Sequence, residues 1–312
     1  MPPLPNYDSP RDLRAFLDQR GLGMRKKHGQ NFLINPAIRT KLLDALELQS
    51  GARVWEIGPG LGAMTAGLLE RGARITAFEI DPAFAQALRE FFDSDLFTLV
   101  EGDVMKTWLA YNASGTDANG ELFLLGNLPY NIAAALLADF IEKGRFFTRL
   151  VVTVQREVAQ RMAAKPGSQD YSSFSVLCSS VYKVTPLSVI KPAAFYPPPR
   201  VDSQGLRLDL LPSAARCLPR LFYPLVRGLF SARRKTVKNT LTAFAASVAA
   251  KEKPGAPASI GFAVSKAAAN TAIEALRHSG IAAERRPETL SIDEFAALAD
   301  FLGNRELGVG SR

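Results

Sequence analysis

Short apolar runs alternate with helical patterns through the first two thirds of the chain, and this alternation is what most restricts its fold. Strand-like runs occur at 53–57, 74–79, 97–101, 122–125 and 149–155. Helical spacing lies before and between them, at 36–48, 64–71, 82–92 and 132–142. Strands joined by helices need right-handed crossovers, which place the strands parallel. Together with later strand-like stretches at 180–190 and 205–211, the pattern predicts an α/β fold with a mainly parallel sheet.

Beyond residue 211 the pattern becomes wholly helical, with helices predicted at 218–230, 234–250, 266–279 and 291–302. Lys251–Ser259 (KEKPGAPAS) is typical of a flexible connector between them, and 112–120 of a polar loop. The sequence therefore predicts three parts. These are an extension over 1–20, expected to be mobile or loosely docked, an α/β catalytic domain over 21–211, and a small helical domain over 212–312.

The positive charge of the chain is concentrated in the predicted helical domain. The 312 residues carry a net charge of +8, and residues 212–312 hold fifteen Lys and Arg against eight Asp and Glu. A basic domain beside a nearly neutral one is the pattern expected for an extended anionic partner such as RNA. An acidic membrane surface would fit the charge alone equally well.

The composition argues against a membrane segment, secretion, a disulfide framework and a metal site. No stretch of eighteen apolar residues is present, and the first residues show neither a basic nor an apolar signal region. Two cysteines, Cys178 and Cys217, and two histidines, His28 and His278, suggest no disulfide framework and no metal site. We expect a cytoplasmic protein without a membrane segment or a metal, with both cysteines as small buried apolar residues.

A glycine-rich turn follows the first predicted strand of the sheet, in the run Glu56-Ile-Gly58-Pro-Gly60-Leu-Gly62. Glycine lets a backbone turn sharply and approach a ligand closely. The spacing differs from the GxGxxG dinucleotide fingerprint and resembles motif I of class I methyltransferases. An acid ends each of the next two strands, Glu79 at the position that accepts ribose hydroxyls and Asp103 where that family's acid meets the adenine amino group. Glu56 itself also fits a buried strand-end carboxylate satisfied by backbone groups.

The tetrapeptide Asn127-Leu128-Pro129-Tyr130 follows the fourth predicted strand and bears most directly on chemistry. The N6 amine of adenine is a poor nucleophile because its lone pair is delocalised into the ring. The side-chain carbonyl of Asn127 and the backbone carbonyl of Leu128 are suited to accept the two amino hydrogens and so aim the lone pair. Pro129 stiffens the turn, and Tyr130 offers a stacking face for the base.

Two further motifs complete a resemblance to a known family. Lys27-His-Gly-Gln-Asn31-Phe-Leu33 is similar to the N-terminal signature of the ribosomal RNA adenine N6-dimethyltransferases, which have Leu where His28 stands. Phe195-Tyr-Pro-Pro-Pro-Arg-Val-Asp-Ser203 resembles their late FxPxPxVxS motif. The chain resembles in particular the bacterial small-subunit branch of this family.

The resemblance implies a cofactor, a target and roles for named residues. S-adenosyl-L-methionine would be held by Asn31, Leu33, Gly58, Gly60, Glu79, Asp103 and Asn127. Phe195 would stack on the target base opposite Tyr130. The implied targets are two adjacent adenosines in a hairpin loop near the 3′ end of small-subunit (16S) ribosomal RNA. The implied partner is an immature 30S-type subunit, and we expect the protein to be a monomer.

Two basic runs are interpreted as phosphate contacts, namely Arg25-Lys26-Lys27 and Arg233-Arg234-Lys235 with Lys238. Other functions remain open from the sequence. A large-subunit adenine dimethyltransferase of the antibiotic-resistance type would share the cofactor and the chemistry, and a non-catalytic assembly checkpoint would share the RNA partner. A DNA adenine methyltransferase fits less well, because its specificity region is normally larger.

Overall fold

The computed structural model describes residues 3–23, 30–113, 120–212, 218–232, 234–252 and 258–306. The chain divides into two compact units. The sheet unit comprises Met1–Gln160 and Tyr182–Leu210, and the helical unit comprises Arg161–Val181 and Leu211–Arg312.

The strands of the sheet unit are β1 (Phe32–Leu33), β2 (Arg53–Ile57), β3 (Arg74–Glu79), β4 (Phe97–Glu101), β5 (Leu122–Asn127), β6 (Arg149–Gln155), β7 (Tyr182–Ile190), β8 (Phe195–Tyr196) and β9 (Ser203–Leu210). Seven of them form one sheet in the order β4-β3-β2-β5-β6-β9-β7, and β1 pairs with β8 separately. The first five strands in that order are parallel, whereas β9 runs antiparallel between β6 and β7. The predicted α/β fold with a mainly parallel sheet is confirmed.

The strand order reverses between β2 and β5, which lie side by side at the centre of the sheet. Ile57 at the end of β2 is in register with Phe78 on β3 and with Gly126 on β5. Open α/β sheets bind ligands in the crevice that forms where the strand order reverses. The loops that leave β2, β3 and β5 therefore meet at one edge of the sheet.

The helices that begin in this unit are α1 (Pro10–Gln19), α2 (Pro36–Asp44), α3 (Ala63–Glu70), α4 (Pro82–Phe91), α5 (Val104–Ala113), α6 (Ala133–Glu142) and α7 (Arg156–Ala163). The sequence patterns did not predict α1, α5 or α7. On one face of the sheet, Trp55 packs its ring against Phe78, Phe140 and Phe147, with centroids 4.9–6.2 Å apart. This buried aromatic cluster holds the first parallel strands and α6 together.

The expectation that residues 1–20 are mobile or loosely docked is wrong for the described part of that segment. Ser9 caps the first helix by accepting a hydrogen bond from the Asp12 amide, and Pro10 stands at its first position. Leu13 and Leu17 are 1% and 3% exposed and pack with residues of α4. An amphipathic helix with two buried leucines is an integral part of the unit's core.

The helical unit contains α8 (Ser173–Val181), α9 (Phe222–Phe230), α10 (Val237–Glu252), α11 (Ala258–His278) and α12 (Ile292–Glu306). Its core brings Phe222 and Leu225 of α9 together with Phe295 of α12. Within the described residues, none of the helices is both long and apolar enough to cross a membrane.

The predicted domain boundary at residue 211 is corrected by the placement of residues 161–181, which belong to the helical unit. Tyr171 is buried in that unit's core, and its hydroxyl donates a hydrogen bond of 3.0 Å to the Leu290 carbonyl. Because α8 runs to Val181, β7 begins at 182 rather than at 180. The predicted connector 251–259 falls partly outside the described residues, and α10 and α11 extend into its two ends.

Candidate active site

A cavity lies at the edge of the sheet where β2, β3 and β5 end. Its wall includes six of the seven residues predicted to hold the cofactor, namely Asn31, Leu33, Gly58, Gly60, Glu79 and Asn127. Side chains that the sequence argument did not select also line it, among them Tyr7, Phe32, Ile80 and Phe84. The hydroxyl group of Tyr7 donates a hydrogen bond of 2.8 Å to the Leu61 carbonyl beside the glycine-rich turn. The Ser9-Pro10 helix start was the signal that this segment is ordered.

The glycine-rich turn needs glycine for two different reasons. Gly58 has φ +69°, and a Cβ added there would meet nothing within 4 Å, so its backbone faces open space. Gly60 has φ +58°, and an added Cβ would lie 2.9 Å from the Phe32 ring. L-residues rarely adopt such positive φ angles, and only glycine allows the ring to lie directly on the turn. The resulting cradle has an accessible backbone on its inner side.

Glu79 ends β3 and fixes the turn to that strand. The carboxylate is 3% exposed and accepts hydrogen bonds from the amides of Gly60 at 3.1 Å and Asp81 at 2.8 Å. Burial raises the pKa of Glu79 to about 7, against the opposing effect of these amide donors. Since each carboxylate oxygen has two lone pairs, Glu79 retains capacity to accept hydroxyl donors from a ligand.

Glu56 is the last but one residue of β2 and also lines the cavity. Its carboxylate accepts a hydrogen bond of 2.7 Å from the Thr65 hydroxyl group, and the Thr65 backbone amide adds to this, so side-chain and backbone groups both satisfy it. Burial, and in smaller measure the charge of Glu79, raises the pKa of Glu56 to about 7. Two acids in one cavity make it a favourable site for a cationic ligand, which would stabilise both ionised forms.

Asp103 is not among the described residues that line the cavity. It stands between β4 and α5, where its carboxylate accepts a hydrogen bond of 3.0 Å from the Met105 amide. The neighbouring Gly102 amide donates to the Glu79 carbonyl at 2.8 Å. Asp103 therefore caps a helix at the rim of the site, one residue from a direct contact with the Glu79 backbone.

The segment around β1 covers the cavity and is held from several sides. Phe32 and Leu33 pair with Tyr196 and Phe195 of β8. Arg39 donates a hydrogen bond of 2.9 Å to the Leu33 carbonyl, and the Asn127 side-chain amide donates one of 2.7 Å to the Asn31 carbonyl. The last bond joins the covering segment to the end of β5.

That bond also orients the Asn127 side chain. With Nδ2 bonded to Asn31, Oδ1 is left as the acceptor of this side chain, and it receives no hydrogen bond from the described part of the chain. The Leu128 carbonyl likewise receives none from the residues that the structure describes, whereas the Pro129 carbonyl accepts two amides at the start of α6. Asn127 lines the cavity, and the Leu128 carbonyl follows it directly in the chain, although Leu128 is not among the described residues of the cavity wall.

The two predicted stacking residues differ in accessibility. Tyr130 is half-buried, and its hydroxyl group lies 2.5 Å from Ser203 Oγ. Phe195 is 3% exposed, because pairing with β1 places its side chain in a core cluster with Leu33 and Ile190. As it stands, the Phe195 ring has no open face, so the structure does not form the expected stacking pair.

The basic residues predicted to contact RNA are only partly described. Arg25, Lys26, Lys27 and Arg233 lie outside the described residues, as do His28 and Cys217. Arg234, Lys235 and Lys238 are exposed, just before and within the first turn of α10. Cys178 is buried, as expected.

Comparison with known proteins bears on the family of this chain. Residues 21–254 match the family model described as "Ribosomal RNA adenine dimethylase". The chain is 44% identical over 299 residues to "Ribosomal RNA small subunit methyltransferase A" of Treponema pallidum, covering 96% of this chain and 98% of the relative. A protein of the same name from Geobacter metallireducens is 36% identical over 287 residues, covering 89% of this chain and 95% of the relative.

Solved structures agree with the sequence relatives. A dimethyladenosine transferase from Plasmodium falciparum matches with a TM-score of 0.69 at 25% identity, covering 88% of this chain and 97% of the other. The 23S rRNA methyltransferase ErmE shares the fold, with a TM-score of 0.57 at 20% identity over 86% of this chain and 98% of the other. With its family model spanning both units and close relatives over nearly its full length, the chain belongs to the ribosomal RNA adenine dimethylase family.

Proposed function

We propose that this protein dimethylates N6 of two adjacent adenosines in a hairpin loop near the 3′ end of small-subunit (16S) ribosomal RNA. The supporting observation is a pair of carbonyl oxygens, Asn127 Oδ1 on a residue of the cavity wall and Leu128 O next in the chain, that accept no hydrogen bond from the described residues. An amine has two hydrogens to donate, and this pair matches that number. The names of the relatives favour the small subunit over the large one.

In the proposed mechanism, the protein acts by positioning and electrostatics. When bound, S-adenosylmethionine supplies an electrophilic methyl group. Asn127 and Leu128 would accept the two amino hydrogens, which favours a pyramidal nitrogen and aims its lone pair into the cavity. Tyr130 would hold the base by stacking. No strong general base is needed, because the nitrogen is cationic after methylation and loses its proton readily.

The cavity fits the cofactor in shape and charge. The backbone beside Gly58 leaves room for a close approach, and Glu56 with Glu79 would offset a positive charge. We assign Glu79 to the ribose hydroxyls and Asp103 to the adenine amino group at the rim. Asn31 and Leu33 would close over the cofactor from the covering segment.

The protein would act as a monomer in the cytoplasm, and it would bind an immature 30S-type subunit. We further propose that methylation accompanies a role in the biogenesis of that subunit. The concentration of positive charge in residues 212–312 supports an RNA partner.

The assignment of Glu79 predicts that Glu79→Gln weakens S-adenosylmethionine binding by about tenfold to a hundredfold, the usual effect of losing hydrogen bonds to a charged group. The ionised carboxylate is the form that a cationic ligand favours. Since the pKa of Glu79 is raised to about 7, wild-type affinity should increase from pH 6 to pH 8, and the variant should show a smaller increase. Calorimetry at pH 6 and at pH 8 measures the affinity of each protein for S-adenosylmethionine.

Glu101→Gln is the matched control. Glu101 lies on β4 in register with Glu79 on β3, but it is exposed and paired with Arg89. It should leave affinity unchanged at both pH values. An unchanged affinity in a folded Glu79→Gln protein would contradict the ribose assignment.

The phosphate contacts predict that Arg234→Ala with Lys235→Ala weakens binding to RNA of any sequence. The slope of log affinity against log salt should become shallower by up to about 0.7–0.9 for each lost contact. A salt titration of RNA binding measures the slope. Lys266→Ala with Arg277→Ala removes the same charge from exposed positions of α11 and serves as the control. Equal losses in both double variants would show that only net charge matters.

The mechanism predicts that Asn127→Ala lowers the single-turnover methylation rate by about a hundredfold to a thousandfold. Removal of one group that hydrogen-bonds the transition state has an effect of this size in other enzymes. RNA affinity should hardly change, because contacts to phosphates dominate it. Tyr130→Ala should also be severe. Rapid-quench methylation of a small-subunit RNA fragment gives the rate, and near-normal transfer by Asn127→Ala would sink the mechanism.

A further inference from the structure

Tyr130 makes a hydrogen bond to Ser203, the last residue of the Phe195–Ser203 motif, and the proposed mechanism gives this bond no role. Its hydroxyl group lies 2.5 Å from Ser203 Oγ, at the short end of the range for a bond between two hydroxyl groups. Ser203 is wholly buried. Burial raises the pKa of the Tyr130 hydroxyl group, so it stays protonated and able to donate near neutral pH.

Ser203 is held more firmly than a residue in a loop could be. It is the first residue of β9, where it is in register with Gln155 on β6 and with Ile190 on β7. The preceding Asp202 accepts the Arg156 amide through its carbonyl at 3.0 Å and pairs with Lys191 through its carboxylate at 2.7 Å. A strand bonded on both sides gives Ser203 a fixed position from which to hold another side chain.

The sheet also brings Ser203 to the correct face. Asn127 on β5 is in register with Thr153 on β6, and two residues further along β6 Gln155 is opposite Ser203. Paired residues on neighbouring strands project to one face, and so do residues two apart on one strand. Asn127 and Ser203 therefore project to the same face of the sheet, near the edge where the cavity opens. Tyr130 links the two, because it lies three residues after Asn127 and bonds to Ser203.

We propose that Ser203 is a positioning residue that fixes the Tyr130 ring by its hydroxyl group, so that the target base meets a preset stacking surface. A tyrosine held at Cβ and again at its hydroxyl group cannot swing away from the site. This restriction lowers the entropy lost when the base enters, and it keeps the amine aligned with Asn127 Oδ1 and Leu128 O. The inference rests on the proposed function.

The test is a double-mutant cycle of Ser203→Ala and Tyr130→Phe, read in single turnovers at saturating RNA and cofactor. Each variant should lower the methylation rate about threefold to tenfold, the usual effect of one neutral hydrogen bond. The double variant should be no slower than either single one, because all three lack the same bond. Affinity for S-adenosylmethionine and for RNA should stay at the wild-type values in every variant.

Thr153→Val is the matched control. Thr153 Oγ1 is buried on the neighbouring strand and has no hydrogen-bond partner among the described residues, so the isosteric change removes a hydroxyl group without breaking a bond. Its rate should equal that of the wild type. If Ser203→Ala does not fold, Tyr130→Phe alone decides, and a wild-type rate for it overturns the proposal.

Additive losses in the cycle would also overturn it, because they would show that the two side chains act independently. A loss of cofactor affinity equal to the loss of rate would overturn it as well, because it would indicate general damage to the site. These outcomes are distinct from failure of the proposed function, in which the wild-type protein itself would not methylate the RNA.

Discussion

The hydrogen bond from the Asn127 side-chain amide to the Asn31 carbonyl connects the parts on which the site depends. It occupies the donor of the amide and so leaves the oxygen as the group presented to a ligand. It also fastens the covering segment, whose Phe32 ring lies on the glycine-rich turn, to the end of β5. A single contact thus relates cofactor enclosure to orientation of the acceptor. A site organised in this way needs little rearrangement when the reaction occurs.

Two buried acids give the cavity a strong preference for positive charge. In the cofactor-free protein, Glu56 and Glu79 have pKa values raised to about 7, so their neutral forms are favoured by folding. The stability linked to these raised values is fully present below about pH 4.5 and is lost as the pH rises through about 7. A bound cation reverses this preference by stabilising the ionised forms. Cofactor binding and stability are therefore coupled through the same two side chains.

Local patterns predicted the parallel strands, the glycine-rich turn and the strand-end residues Glu79 and Asn127, because parallel strands bring their ends to one edge. The contacts that local patterns could not supply join distant parts of the chain. Ser203 and Tyr130 are 73 residues apart, and only the insertion of β9 between β6 and β7 brings them together. The burial of Phe195 follows from its pairing with β1, and the transfer of residues 161–181 to the helical unit follows from the packing of Tyr171. Such long-range packing leaves no periodic signal in the sequence.

The proposed methylation is tested by mapping N6,N6-dimethyladenosine in ribosomal RNA from cells with and without the gene. In cells without the gene, we expect two adjacent adenosines near the 3′ end of the small-subunit RNA to lack the modification. The wild-type gene should restore it, whereas the gene carrying Asn127→Ala should not. An unchanged small-subunit RNA, or a loss confined to large-subunit RNA, would contradict the account.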